Sequence, residues 1–99
     1  MNNLGSARLD EQQYHTIKNW LEDRPTGSCY ARMMSFILDN PFCSADDISE
    51  NCDLYAPQHI NNCSRKIAEA CFPCRLVTLI FHHPGGQKTA RYAILNWSQ

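Results

Sequence analysis

Residues 56–71 read APQHINNCSRKIAEAC, and the periodicity of this segment decides how the rest of the chain is read. Pro57 suits a first helical position, where its missing N–H would have had no partner and its φ is already helical. Ile60, Cys63, Ile67 and Cys71 then recur at intervals of three and four, lining one face of an α-helix predicted over 57–71. The opposite face carries Gln58, His59, Asn61, Asn62, Arg65 and Lys66. Amides, imidazole and positive charge stand where a solvated helix usually mixes Glu with Lys, and that composition needs a reason.

Working upstream, SADDISENC at 44–52 predicts a shorter helix. Ser44 and Asp47 approximate a capping box there, and Ile48 with Cys52 supply its buried side. Only a few residues separate it from Pro57, so the connection must be tight, with Leu54 as its apolar plug. Helix, short turn, helix is the helix-turn-helix arrangement. A further helix is predicted over 28–39, with Ser28 as N-cap, with Tyr30, Met33, Met34, Ile37 and Leu38 inward, and with Pro41 ending it. Before it, Tyr14, Ile17, Trp20 and Leu21 recur at helical spacing within 9–23, and Asp10 and Glu11 suit the positive end of that helix dipole. Residues 1–8 are polar and expected to be frayed.

Downstream, Pro73 stops the helical pattern. RLVTLIF at 75–81 and TARYAILN at 89–96 are strand-like, and HHPGGQK between them predicts a mobile hairpin loop longer than two residues. The expected fold class is therefore α+β and mostly helical: a winged helix-turn-helix with an extra N-terminal helix and a C-terminal β-hairpin wing over 75–96. A chain of 99 residues supports one such domain, spanning 9–99, with one modest core.

Composition narrows the function classes. No apolar run approaches the roughly 18 residues of a membrane span, and MNNLGSARLDEQQYH has neither the basic start nor the apolar stretch of a secretory signal. A cytoplasmic protein without a membrane partner is expected. The six cysteines are then expected as reduced thiols, with Cys52, Cys63, Cys71 and Cys29 falling where the pattern wants a small hydrophobe.

The net charge of −1 conceals a division along the chain. Residues 1–56 hold four Lys or Arg and nine Asp or Glu, whereas residues 57–99 hold five basic residues against Glu69 alone. Such asymmetry hints at a surface that faces a polyanion.

In a helix-turn-helix, the second helix enters the major groove and its N-terminal residues meet the base edges. Here those residues are Gln58, His59, Asn61 and Asn62, and Asn and Gln can pair bidentately with adenine. Arg65 and Lys66 follow within reach of phosphate or guanine, and the helix N-terminus adds its own attraction for phosphate. The hairpin loop carries His82, His83, Gln87 and Lys88, with Arg91 and Arg75 on its strands, well placed for the backbone or a minor groove. Double-stranded DNA is the expected partner. Cys71-Phe72-Pro73-Cys74 is a Cys-x-x-Cys pair, but His82 and His83 lie a strand length away, roughly 20 Å, so no metal site is expected; a redox role for the same pair has as little support from the sequence. With no nucleophile, base and orienting acid in evidence and no phosphate-cradling glycine motif, neither an enzyme nor a cofactor is expected.

Tyr14, Ile17, Trp20 and Leu21 either pack on their own domain or form a dimer seam. A homodimer would double the short half-site that one winged helix reads.

The run from CYARMMSFILDNPFCSADDISENC through INNCSRKIAEACFPCRLVTLIF to ARYAILN, about residues 29–96, resembles the CaiF/GrlA family of small enterobacterial transcriptional regulators. The shared features are an aliphatic and aromatic helix, a short S-x-x-D-I-S helix, a second helix with apolar spacing, and a terminal hairpin. The resemblance implies a winged-helix transcriptional activator, in some members held in check by a protein antagonist. The longer N-terminal helix and the acidic first half depart from it. A competing reading makes the domain a protein-interaction module, such as a phage-encoded inhibitor or an antagonist of another regulator. Asp46, Asp47, Glu50 and Asp53 would then form the working surface.

Overall fold

The structure is a computed structural model that describes residues 8–25 and 27–96. Apart from Arg8, the expected frayed start at 1–8 lies outside the described residues. The described residues are α+β, with four α-helices and a three-stranded antiparallel sheet.

Helix α1 runs Glu11–Glu22. Its start is fixed by a full capping box: the Asp10 carboxylate accepts from the Gln13 N–H at 2.7 Å, and the Gln13 side chain accepts from the Asp10 N–H at 3.0 Å. Helix α2 runs Cys29–Asp39. Ser28 occupies its N-cap position but its hydroxyl makes no cap hydrogen bond, so the expected side-chain cap is absent there. Asn40, the residue before Pro41, takes the C-cap, where a proline behind it disfavours helical backbone.

The next element carries no signal in the sequence pattern. Phe42 adopts a left-handed φ of 68°, and its N–H donates to the Tyr92 carbonyl at 2.8 Å. This turns the chain into strand β1, Cys43–Ser44. Helix α3, Ala45–Cys52, starts directly from β1 with the expected Ser44/Asp47 capping box, and Asp53 ends it in the left-handed region at φ 54°. The expected plug, Leu54, is half-buried against the core, while Ala56 beside it is fully buried and its N–H donates to the Ser49 hydroxyl at 3.2 Å.

The helix predicted over 57–71 starts later than Pro57 suggests. Ala56–Gln58 form a 3₁₀ turn, His59 is the N-cap, and helix α4 proper is Ile60–Ala70, with Cys71 as its C-cap. Strands β2 (Cys74–His82) and β3 (Lys88–Asn96) complete the chain order. The sheet order is β1-β3-β2, with Cys43 opposite Tyr92 and Ser44 opposite Arg91 on one side of β3, and Cys74 opposite Asn96 through His82 opposite Lys88 on the other.

The loop at 83–87 is longer than two residues, as its Pro and Gly content predicted. It is also tied. The His83 N–H donates to the Gln87 carbonyl at 2.8 Å, the His83 ring meets the Thr89 hydroxyl at 2.8 Å, and Gly85 and Gly86 hold φ near +90° where a side chain would be strained.

One core joins all four helices to one face of the sheet. Ile17 from α1, Met33, Met34 and Ile37 from α2, Ile48 from α3, Cys63 and Ile67 from α4 and Cys74 from β2 are fully buried in it. The sheet's other face carries a second, smaller cluster of Ala93 and Leu95 with Phe42 and Val77. Tyr14, Trp20 and Leu21 pack against the main core beside Ile17, so the apolar face considered as a dimer seam is occupied within the chain. No helix among the described residues is long and apolar enough to cross a membrane.

Candidate functional site

Hydrophobic spacing fixes which side of α4 is free. Cys63 and Ile67 point into the core, so Asn61 and Arg65, an i, i+4 pair, must project from the opposite side, and both are exposed. Gln58, in the 3₁₀ turn just before the helix, is exposed as well. Asn61 and Arg65 thus make a stripe of an amide and a guanidinium, with the exposed Gln58 amide just ahead of it in the chain. No side chain caps the start of α4.

The other candidates on this segment are less free. His59 and Asn62 are half-buried. Lys66 is drawn back onto the molecule: its ammonium lies 3.7 Å from the Glu69 carboxylate and 5.3 Å from the centre of the Tyr30 ring on α2. Glu69 falls one turn beyond Arg65 on the exposed side, so negative charge closes the C-terminal end of the stripe.

Strand register divides the basic residues of the hairpin. Cys74, Leu76, Tyr92 and Ile94 face the helices, and the alternation of side chains places Lys88, opposite His82, on that same face beyond the end of the core. Arg75 and Arg91 have the other parity and share the face of Val77, Ala93 and Leu95. Arg75 stands at the base of the hairpin, and Lys88 at its loop end, about 23 Å further along at strand rise. Arg91 is half-buried, and its charge contributes to holding the Asp47 carboxyl below the usual range, after the larger effects of the hydrogen bonds from the Ser44 N–H and hydroxyl. The structure therefore puts Asn61 and Arg65 on one stripe, with Gln58 exposed just ahead of it, and leaves Lys88 exposed at the loop end. It does not bring Arg75 and Arg91 to the helix side.

Among the described residues, Arg65, Arg75, Lys88 and Arg91 make no ion pair within 4.0 Å. Positive side chains of the first half are used differently. Lys18 pairs with Asp39 at 2.7 Å, Arg24 lies over the Trp20 ring at 4.3 Å, and Arg32 donates to the carbonyls of Cys52 and Gly27.

Four exposed apolar side chains were not singled out from the sequence. Tyr55 is 64% exposed in the turn ahead of α4, Phe72 is 78% exposed after it, and Ile80 and Phe81 are about half exposed toward the hairpin loop. The aliphatic run in β2 hid the last two, because apolar residues occupy both parities of RLVTLIF.

All six cysteines are free thiols. Cys52 and Cys63 are buried as expected, but Cys71 and Cys29 are only half-buried, while Cys43 and Cys74 are buried. Desolvation pushes the Cys63 and Cys74 thiols up to about 12 and Cys43 to about 11. Among the described residues, no three His, Cys, Asp or Glu side chains converge as a metal site would require. The chain matches no family model, no curated protein and no solved structure.

Proposed function

We propose that the chain is a winged helix-turn-helix protein that binds double-stranded DNA sequence-specifically and regulates transcription. The reading is supported by the order α2-β1-α3-α4-β2-β3, with β1 paired to β3 in a sheet ordered β1-β3-β2; α1 would be an addition to the winged helix. In this reading α3 and α4 are the helix-turn-helix pair, α4 is the recognition helix and the β2–β3 hairpin is the wing.

The observation that carries the proposal is the exposed stripe of Asn61 and Arg65 in the leading half of α4, with the exposed Gln58 just ahead of it. The amides would read adenine edges, Arg65 would take guanine or phosphate, and Lys88 on the wing would hold the backbone. His59, Asn62 and Lys66 flank the stripe and would adjust on contact. Arg75 and Arg91, on the far face of the sheet, would add to the general attraction for the polyanion. The resemblance to CaiF/GrlA regulators points the same way.

The test is selection of bound fragments from a random duplex pool, with gel shift at two salt concentrations as the second step. A recovered consensus with retention that falls steeply with salt supports the reading. Retention that is absent at both salts refutes it.

A second reading is favoured by one observation. Asp46, Glu50 and Asp53 on and after α3 are exposed, and none is in an ion pair among the described residues. As an interaction module for a basic protein partner, the domain would use this acidic surface and ignore DNA, so the same gel shift separates the two readings.

A further inference from the structure

The junction between α4 and β2 holds a pair of thiols in close contact. Cys71 is the C-cap of α4 and Cys74 opens β2; the chain between them turns tightly, with the Cys74 N–H donating to the Cys71 carbonyl at 2.7 Å. The turn brings the two sulfurs to 3.4 Å, the Cys74 thiol donating to the Cys71 sulfur. A disulfide needs about 2 Å between sulfurs, so the two must approach further for the bond to form. No other cysteine shares this arrangement among the described residues: Cys43, Cys52 and Cys63 direct their thiols to the backbone carbonyls of Tyr92, Arg32 and Tyr30. The two sulfurs also differ in access, since Cys71 is half-buried and Cys74 fully buried.

We infer that Cys71 and Cys74 form an oxidisable dithiol that exchanges with low-molecular-weight disulfides, with Cys71 as the attacking sulfur and Cys74 as the resolving one. With glutathione disulfide as the oxidant, Cys71 gives its proton to water and its thiolate attacks one glutathione sulfur. The glutathione S–S bond breaks, a Cys71–glutathione mixed disulfide forms, and the first glutathione leaves and is protonated. Cys74 then loses its proton and attacks the Cys71 sulfur, forming the Cys71–Cys74 bond and releasing the second glutathione. Two protein thiols are oxidised by two electrons, and one disulfide is reduced to two thiols. In the reduced protein, burial and then the hydrogen bond to Cys71 raise the Cys74 pKa to about 12, so Cys74 starts as a thiol.

The bridge would tie the end of α4 to the start of β2. On the DNA-binding reading, which this consequence rests on, the oxidised and reduced proteins differ in their hold on a duplex.

The experiment incubates the full chain in glutathione buffers of increasing oxidised-to-reduced ratio, quenches with acid, unfolds, alkylates and maps peptides by mass. The expected result is a linked Cys71–Cys74 peptide that grows with the ratio while the other four cysteines stay alkylatable. Cys71→Ser is expected to abolish it, and Cys74→Ala, checked for folding by circular dichroism, to trap the mixed disulfide on Cys71. If Cys74→Ala does not fold, the wild-type map and Cys71→Ser decide. Six alkylatable thiols at every ratio, or a protected pair that involves another cysteine or a second chain, overturns the inference. Gel shift of the bridged and reduced forms tests the consequence separately, and equal retention overturns that consequence while leaving the mapped bridge standing.

Discussion

The two halves of the chain treat most of their positive charges in opposite ways. In the first half Lys18, Asp39 and the Tyr14 hydroxyl form one hydrogen-bonded group, with Tyr14 to Asp39 at 2.6 Å and Lys18 to Asp39 at 2.7 Å; Asp10 caps α1, and the Asp47 carboxylate accepts from the Ser44 N–H in the capping box of α3. In the second half Arg65 and Lys88 stand exposed with no ionic partner among the described residues, and there only Lys66 is in an ion pair, with Glu69. A charge already bonded at home must break that bond to meet a partner, whereas an unengaged one loses only water. The difference teaches that net charge says little about where a polyanion would dock. What matters is which cations the fold has left over.

Both halves nonetheless rest on one core. Ile17 under α1 and Ile67 under α4 are both fully buried in the same cluster. Ile67→Ala is therefore expected to cost about 2–5 kcal/mol and to lower the urea midpoint for the whole molecule, monitored by tryptophan fluorescence at Trp20 and by far-UV circular dichroism. Two transitions at separate denaturant concentrations would break the comparison between halves by making them independent units.

A smaller effect sharpens the contrast at the stripe. Asn61→Ala is expected to lose about 1–3 kcal/mol of discrimination between the selected site and a variant with the read base changed. Lys88→Ala is expected to weaken all duplexes alike and to lower the slope of log affinity against log salt by about one. Arg75→Ala, at the hairpin base on the other face of the sheet, is expected to change both less than Lys88→Ala does. Equal losses on specific and random duplexes for Asn61→Ala and Lys88→Ala would erase the distinction between reading and holding.

The helices and the hairpin were legible because their apolar spacing and their Pro and Gly punctuation are local signals. The start of α4 was not, since Pro57 is as well suited to a 3₁₀ turn as to a first helical turn and nothing nearby distinguishes them. Strand β1 is two residues long, too short to show alternation, and the left-handed Phe42 that launches it carries no glycine or asparagine to announce the turn. For the candidate site, helical periodicity gave Asn61 and Arg65 their common face. The faces of Arg75 and Arg91 depend on register, and with apolar residues at both parities of β2 only the pairing to β3 reveals it. The burial of Cys74 has the same origin in register, whereas Cys71 lies outside the strands as the C-cap of α4.

Helix caps offer a contrast of the next size. Ser44 accepts from the Asp47 N–H at 3.1 Å, while Ser28 makes no cap bond. Ser44→Ala is expected to cost about 1 kcal/mol, and Ser28→Ala much less, both read from urea unfolding. Equal costs would show that residue type at the cap, rather than the bond it makes, sets the stability.

The smallest expected effect tests the engaged charges themselves. At Asp39, burial alone would raise the carboxyl, but the hydrogen bonds from Lys18 and Tyr14 outweigh it and hold the group below its ordinary 3.8. At Lys18, burial alone would lower the ammonium, and the hydrogen bond and charge of Asp39 outweigh it and raise the group above 10.5. A lowered acid lends stability that is complete above its unfolded value and is lost as pH falls through the folded one. A raised base lends stability that is complete below its unfolded value and is lost as pH rises through the folded one. The pair is therefore expected to act across the whole neutral range and to fade below about pH 4 and above about pH 10. Its partial exposure, 30% for Lys18 and 44% for Asp39, limits the pair to under about 1 kcal/mol. Asp39→Asn should remove both flanks of this dependence together when thermal midpoints are compared at pH 3, 7 and 11. An unchanged difference from wild type at all three pH values would mean that the group is held by geometry rather than by charge, and that the first half has no better claim to engaged charges than the second.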